Sequence, residues 1–156
     1  MTLDRIDRQI LALLQNDGRL SNKELAATVG LAPSTCSERA KRLENEGVIL
    51  GTYTEVDPAR LGVGLQALIC VRLSQHSRDD VQAFHEHILS LPEVLAAYHV
   101  TGRGDFMVPV AVRDTEHLRD LAMDGFTTRQ EVAQIETALV YEVTRKPGFP
   151  DYLSEG

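Results

Sequence analysis

Ser21-Asn22-Lys23-Glu24-Leu25-Ala26-Ala27-Thr28-Val29-Gly30-Leu31-Ala32-Pro33-Ser34-Thr35-Cys36-Ser37-Glu38-Arg39-Ala40-Lys41-Arg42-Leu43 reads as two short helices joined by a tight turn. Ser21 and Glu24 have the capping-box spacing: the serine oxygen takes an orphan amide and the glutamate reaches back to the cap's own N–H. Leu25, Ala26 and Val29 form the apolar face of a helix over 21–29, and Gly30 suits the left-handed residue that ends it. Pro33 fits the first turn of a helix over 33–46, where its missing N–H would have no intrahelical partner. Cys36, Ala40 and Leu43 recur at i, i+4, i+7 and mark the inward face; Gly47 ends the helix. Upstream, Ile6, Ile10, Leu13 and Leu14 mark a helix over 4–17, capped by Asp4 and stopped by Asn16-Asp17-Gly18. The arrangement is a helix-turn-helix.

The spacing then predicts what the last helix shows to solvent. Thr35, Glu38, Arg39 and Arg42 recur at i, i+3, i+4, i+7 and are expected on the face away from Cys36, Ala40 and Leu43. Ser34, Ser37 and Lys41 flank them. Short hydroxyls at a helix start approach base edges or phosphates closely, and an arginine has the planar fork for two bonds to guanine. Lys41 and Arg42 lie further along, where a helix in the major groove passes phosphates. The amides of the preceding helix near Ser21 offer an anion site. On periodicity alone, a solvated helix face in an ordinary three-helix domain is the alternative reading.

Residues 48–56 alternate and predict a short strand. Asp57-Pro58 breaks it, and 57–64, with Pro58, Gly62 and Gly64, reads as a linker. The second half reads strand, helix, strand, strand, helix, strand: 66–73, 77–91, 94–101, 105–113, 115–124 and 132–143. Val81, Phe84 and Ile88 mark the first buried helix face, and Leu118, Leu121 and Ala122 the second, which Gly125 is expected to end. Ile135, Thr137, Leu139, Tyr141 and Val143 share one strand face. This order is the ferredoxin-like βαββαβ unit. The fold expected is therefore α+β: a (winged) helix-turn-helix over 1–56, the linker 57–64, a ferredoxin-like domain over 65–144 and a tail over 145–156. Helices cover one face of such a sheet, and a second copy of the chain is the natural cover for the other.

The net charge of −7 is unevenly spread. Residues 1–56 carry seven Lys/Arg against eight Asp/Glu, a net of −1, whereas 57–156 carry nine against fifteen, a net of −6. Binding to random DNA should be weak, and specific binding should need several contacts or several subunits. No apolar run approaches the roughly 20 residues of a membrane helix, and the charged start is unlike a secretory leader. A cytoplasmic protein with no membrane partner is expected. Cys36 and Cys70 sit in apolar periodic patterns and read as buried thiols. His85 and His87 point about 200° apart on a helix and cannot share a metal; His76, His99 and His117 lack ligand spacing, so all five read as surface or interface residues. No nucleophile elbow, Walker loop or Cys–His pattern is present. No enzyme activity, cofactor or metal is expected.

Several stretches together resemble the Lrp/AsnC, or feast/famine, family of transcriptional regulators. Leu3 to Arg19 resembles the family's opening helix. Glu24-Leu25-Ala26 with Val29-Gly30-Leu31 resembles its second helix and turn, and Cys36 to Glu44 with Gly47-Val48-Ile49 its recognition helix and exit. Thr101-Gly102-Arg103-Gly104-Asp105-Phe106 resembles the glycine-aspartate-aromatic loop of its second domain. The resemblance implies binding to double-stranded DNA as dimers and higher assemblies, commonly octamers. It also implies a βαββαβ domain that takes amino acids or related metabolites near dimer–dimer interfaces.

Three departures from the family carry expectations. Ala32 stands where the family usually has a capping serine, so Ser34 or a water must serve those amides or the helix start frays. Gly104 is expected to loosen its loop. Pro109 removes a ladder donor mid-strand, which predicts a bulge, and an unbroken ladder there would count against the strand.

The effector loop is Thr101, Gly102, Gly104, Asp105 and Phe106, with Thr137 on the last strand as an addition. Glycine amides can take a carboxylate and Asp105 an α-ammonium. A plain hairpin turn, with Asp105 bonding its own backbone, is the other reading. The reading expected is a ligand-responsive DNA-binding regulator; the alternative class is a small enzyme or metabolite-binding module that uses its helical part for assembly.

Overall fold

A computed structural model describes residues 2–75 and 77–153 and divides the chain into two compact units. The first comprises residues up to Glu55 together with the segment from Thr144 onward; the second is Val56–Val143.

In the first unit, α1 (Arg5–Asn16), α2 (Asn22–Val29) and α3 (Pro33–Asn45) enclose a core of Ile10, Leu25, Ala26, Cys36 and Leu43. Asp4 and Asp7 form a full capping box on α1, as Ser21 and Glu24 do on α2. Gly30 takes the left-handed conformation at φ 73° and turns the chain into α3. At the start of α3, Ala32 makes no side-chain cap.

The strand expected over 48–56 is absent, and 50–57 runs without regular structure. Its alternation finds no partner ladder among the described residues: Leu50 and Tyr53 are exposed, and the Thr52 methyl instead packs against Gly18. A strand's backbone groups need a neighbour to bond. The segment 144–153 returns to α1. The Phe149 amide donates to Gln15 Oε1 at 2.7 Å, Arg8 donates to the Leu153 carbonyl at 3.2 Å, and Arg8 pairs with Asp151 at 3.6 Å.

In the second unit a 3-10 turn (Pro58–Leu61), capped by Asp57, precedes β1 (Leu65–Leu73), α4 (Arg78–Ser90), β2 (Tyr98–His99), β3 (Phe106–Val112), α5 (Thr115–Asp120) and β4 (Val132–Val140). The sheet order is β2-β3-β1-β4, all neighbours antiparallel, which is the ferredoxin-like arrangement. Ala67, Ile69, Val71 and Leu73 of β1 and Phe106, Val108, Val110 and Val112 of β3 point to the helices and are buried. The Phe84 ring sits 5.1 Å from that of Phe106 and 6.3 Å from that of Phe126 at the centre of this core.

Four expectations fail here. No bulge forms at Pro109: β1 and β3 pair without a register shift from Leu65↔Val112 to Val71↔Phe106, and β3 is a strand all the same. The Pro109 carbonyl accepts from Leu95. Its nitrogen therefore faces the same outer side, away from β1, because N and O of one residue share a side in an antiparallel ladder. The missing donor faces the edge strand, which is reduced to Tyr98–His99 and a lone bridge at Val94↔Val110 rather than the expected 94–101. The irregularity in the sheet lies instead between Arg72 and Leu73, opposite β4.

Gly125 does not end the second helix. α5 continues as a π-helical segment, Leu121–Thr127, in which Gly125 is buried and a Cβ would stand 3.1 Å from Leu91 Cδ1. Thr127 and Thr128 hydroxyls bond the Ala122 and Asp124 carbonyls, which supports the widened turn. Cys36 is buried as expected, but Cys70 is only half-buried, on the sheet face opposite the helices.

Candidate nucleic-acid interface and effector loop

α3 is fixed by its apolar stripe, so the rest of its surface follows from about 100° of rotation per residue. Measured from Cys36, Ser34 and Glu38 lie about 160° round the helix and Lys41 about 140°, whereas Arg42 lies about 120° and Arg39 only about 60° away. Ser34, Thr35, Glu38 and Lys41 are exposed accordingly. Ser37 is half-buried and accepts from Asn22 Nδ2 at 3.3 Å, tying α3 to α2.

Arg39 therefore does not stand on the outward face as its i, i+4 spacing from Thr35 suggested. Its Nη1 donates to Asp4 Oδ2 at 2.6 Å and to Asp7 Oδ1 at 2.8 Å, and its side chain is 26% exposed. Arg42 Nη2 donates to Asp7 Oδ2 at 2.7 Å, with the side chain 44% exposed. Asp7 is itself buried, 1% exposed, and is held by both guanidiniums. The Asp7 amide, and then the Arg39 guanidinium, hold the Asp4 carboxyl down at about 2, and the two carboxylates in turn raise Arg39. Sequence reasoning missed Asp4 and Asp7 as partners of α3. The helical angle of Arg39 was the signal that pointed to them.

At the start of α2, the Glu24 carboxylate accepts from the Ser21 amide at 2.8 Å and from the Ser21 hydroxyl at 2.6 Å. These bonds, the hydroxyl's first, lower its pKa, so a negative charge already occupies the amide end proposed for phosphate. In this structure Ser21 serves the cap.

The loop between β2 and β3 is held more tightly than its two glycines suggested. Gly104 is buried, and a Cβ there would stand 2.4 Å from Cys70 Sγ and 3.2 Å from the Val71 carbonyl. That close approach to β1, not flexibility, is what the glycine permits. Gly102, at φ 127°, turns the exposed tip of Thr101, Gly102 and Arg103. The Asp105 amide donates to the Val71 carbonyl at 2.8 Å, and its Oδ2 accepts from the Leu73 amide at 2.7 Å. The carboxylate thus bonds the neighbouring strand.

Phe106 is fully buried, with its ring stacked 4.8 Å from that of His99, and belongs to the core rather than to an open binding surface. Thr137 is exposed on β4, opposite Ile69, and the chain does not bring it into the loop. On the sheet face opposite the helices, Cys70, Arg72, Arg103, Gln134 and Glu136 line a shallow hollow of about 210 Å³.

Two further histidines have more than surface roles. His87 Nε2 contacts the Gly125 carbonyl at 2.8 Å, and His117 Nε2 contacts Glu93 Oε1 at 2.9 Å. His76 lies outside the described residues. Among those residues, no group of three or more acidic, histidine or cysteine side chains is arranged to hold a metal, and no helix is long and apolar enough to cross a membrane.

Comparison with known proteins agrees with both halves. Residues 3–49 match a winged helix-turn-helix DNA-binding family and residues 66–148 the Lrp/AsnC ligand binding domain. The chain is 45% identical over 143 residues to the HTH-type transcriptional regulator AldR of Mycolicibacterium smegmatis, covering 92% of this chain and 84% of that one. A transcriptional regulator from Neisseria meningitidis solved in complex with L-Met is 30% identical, with a TM-score of 0.86 over 94% of each chain. Escherichia coli AsnC is 28% identical, with a TM-score of 0.83 over 96% of this chain and 99% of that one. With a DNA-reading helix-turn-helix in the first unit and a ligand-binding βαββαβ sheet in the second, this chain belongs to the Lrp/AsnC family of transcriptional regulators.

Proposed function

We propose that the chain acts in the cytoplasm as a homo-oligomer, a dimer that assembles further toward an octamer, and that an amino acid or close relative sets its assembly or its affinity for double-stranded DNA. In this reading residues 1–56 bind DNA, 57–64 join the parts, 65–144 assemble subunits and bind the effector, and 145–156 form the tail. The observation that carries it is the outward row Ser34, Thr35, Glu38 and Lys41 on α3. Small hydroxyls at the N-terminal end suit base edges and close phosphates, and Lys41, with the exposed part of Arg42, suits the backbone further along.

Self-assembly is supported by the bare sheet face. Leu68 and Cys70 of β1 and Met107, Pro109 and Ala111 of β3 alternate with the buried residues and so point away from the helices. Small antiparallel sheets commonly cover such a face with a second copy. For the effector, the amides around Gly102 and Gly104 suit an α-carboxylate, Asp105 suits an α-ammonium, and Thr137 suits a loop supplied by a neighbouring subunit. The complex of the Neisseria relative with L-Met supports an amino acid as the ligand class.

The test is retention of duplex DNA by the chain as salt is raised, together with mass in solution with and without a panel of amino acids. Sequence-selective, salt-dependent retention and an amino-acid-dependent change in mass or affinity are expected. A strictly monomeric chain that ignores duplex DNA would overturn the proposal.

A further inference from the structure

Four carboxylate oxygens at the start of α1 are completely assigned. Asp4 Oδ1 accepts from the Asp7 amide at 2.8 Å and Asp7 Oδ2 from the Asp4 amide at 3.2 Å, closing the capping box. Asp4 Oδ2 and Asp7 Oδ1 accept from one nitrogen of Arg39, and Asp7 Oδ2 also accepts from Arg42. The cap of one helix is thus also the socket for two side chains of another, one turn apart on α3. Two acids and two guanidiniums cancel in charge, so the pair attracts a polyanion less than its sequence suggests. A base contact by Arg39 would break two charge-assisted bonds and leave buried Asp7 with one cation in place of two, a costly exchange.

We propose that Arg39 is a positioning residue and not a base reader. Acting through Asp4 and Asp7, it fixes the rotation of α3 about its own axis, and that rotation decides which residues meet the groove. The base-edge contacts then fall to the outward residues at the start of α3, and Lys41 with the exposed part of Arg42 supplies phosphate contacts. This rests on the DNA-binding reading above.

The experiment uses the full chain and a duplex that the wild-type chain has enriched from a randomised pool. Arg39→Gln, Asp7→Asn and the double variant are checked for helix content at 10 °C, then titrated against that duplex and its single base-pair variants over a range of salt. Arg39→Gln is expected to weaken all these duplexes by the same factor, several-fold, with the salt slope unchanged. Asp7→Asn should do likewise, and the double variant should be no worse than the weaker single, because both act on one network. Lys41→Ala, as a control, should flatten the slope by about one.

Loss of discrimination at one base pair in Arg39→Gln, a slope reduced by about one, or additive effects in the double variant would overturn the proposal. Undiminished binding by folded Arg39→Gln would overturn it too, since that marks a purely structural role. If Arg39→Gln does not fold, Arg39→Lys is read by the same criteria. If the wild-type chain enriches no duplex, the DNA-binding reading fails and takes this one with it. An altered base preference in a binding-competent variant removes this one alone.

Discussion

The carboxylate of Asp105 accepts from the backbone amide of Leu73 at 2.7 Å, so the residue proposed to receive a ligand's ammonium also closes the end of β1. The two roles separate by substitution. Asp105→Ala leaves the Leu73 amide without this acceptor, a loss of about 1–3 kcal/mol. Asp105→Asn keeps an oxygen there, removes the charge and turns the second oxygen into an NH2 donor. Denaturant unfolding should show the alanine variant clearly weakened and the asparagine variant close to wild type. Both should lose the response to amino acids in calorimetry. A full response from Asp105→Asn would show that its charge does not hold the ligand.

Gly104→Ala should destabilise the second unit by about 1–3 kcal/mol, the usual cost of overpacking, because the new methyl meets Cys70 Sγ. Adding Cys70→Ala should restore part of that loss. The remainder reflects the Val71 carbonyl, which cannot step aside. Urea midpoints of the two single variants and the double variant read this directly.

Ala32→Ser should stabilise the first unit. The Ala32 backbone already has the extended conformation of an N-cap and lacks only the side-chain oxygen. A serine there is worth about 0.5–2 kcal/mol, visible as a higher melting temperature with unchanged helix content. No gain would mean that those amides are already well served.

Acid should loosen the join between α1 and α3. The Asp4 carboxyl titrates at about 2 in the folded chain against an ordinary value of 3.8. The depressed value means that its stabilisation is complete above the ordinary value and is lost as the pH falls from there to about 2. Asp4→Asn keeps a capping side chain but cannot titrate, so its acid unfolding should be flatter in that window. Circular dichroism across pH 2–5 would reveal an unchanged curve if Asp4 contributes nothing.

Legibility in this sequence follows how local each cause is. The Ser21–Glu24 and Asp4–Asp7 caps lie within three residues and could be read or half-read from spacing; the turn at Gly30 and the βαββαβ order were equally plain. Arg39 was misplaced because its partners lie 32 and 35 residues away. The polar spacing from Thr35 points outward, whereas the small angle of Arg39 from the buried stripe places it toward α1. The alternation at 48–56 is real, but a strand also needs a neighbour, and none of the described residues provides one. At Pro109 the residue type was legible while the outcome depended on which side its nitrogen faced, a matter of strand parity. Gly125 looked like a helix stop and is instead the place where Leu91 presses closest.

The return of residues 144–153 to α1 makes the βαββαβ unit an insertion within the helical one, whose polypeptide leaves at Glu55 and comes back at Thr144. Cutting the gene at Val143 would therefore trim the DNA-reading part, not an idle end. A label fused after Leu153 would emerge beside Arg8, where it reports on, and interferes with, the half of the protein that meets the operator.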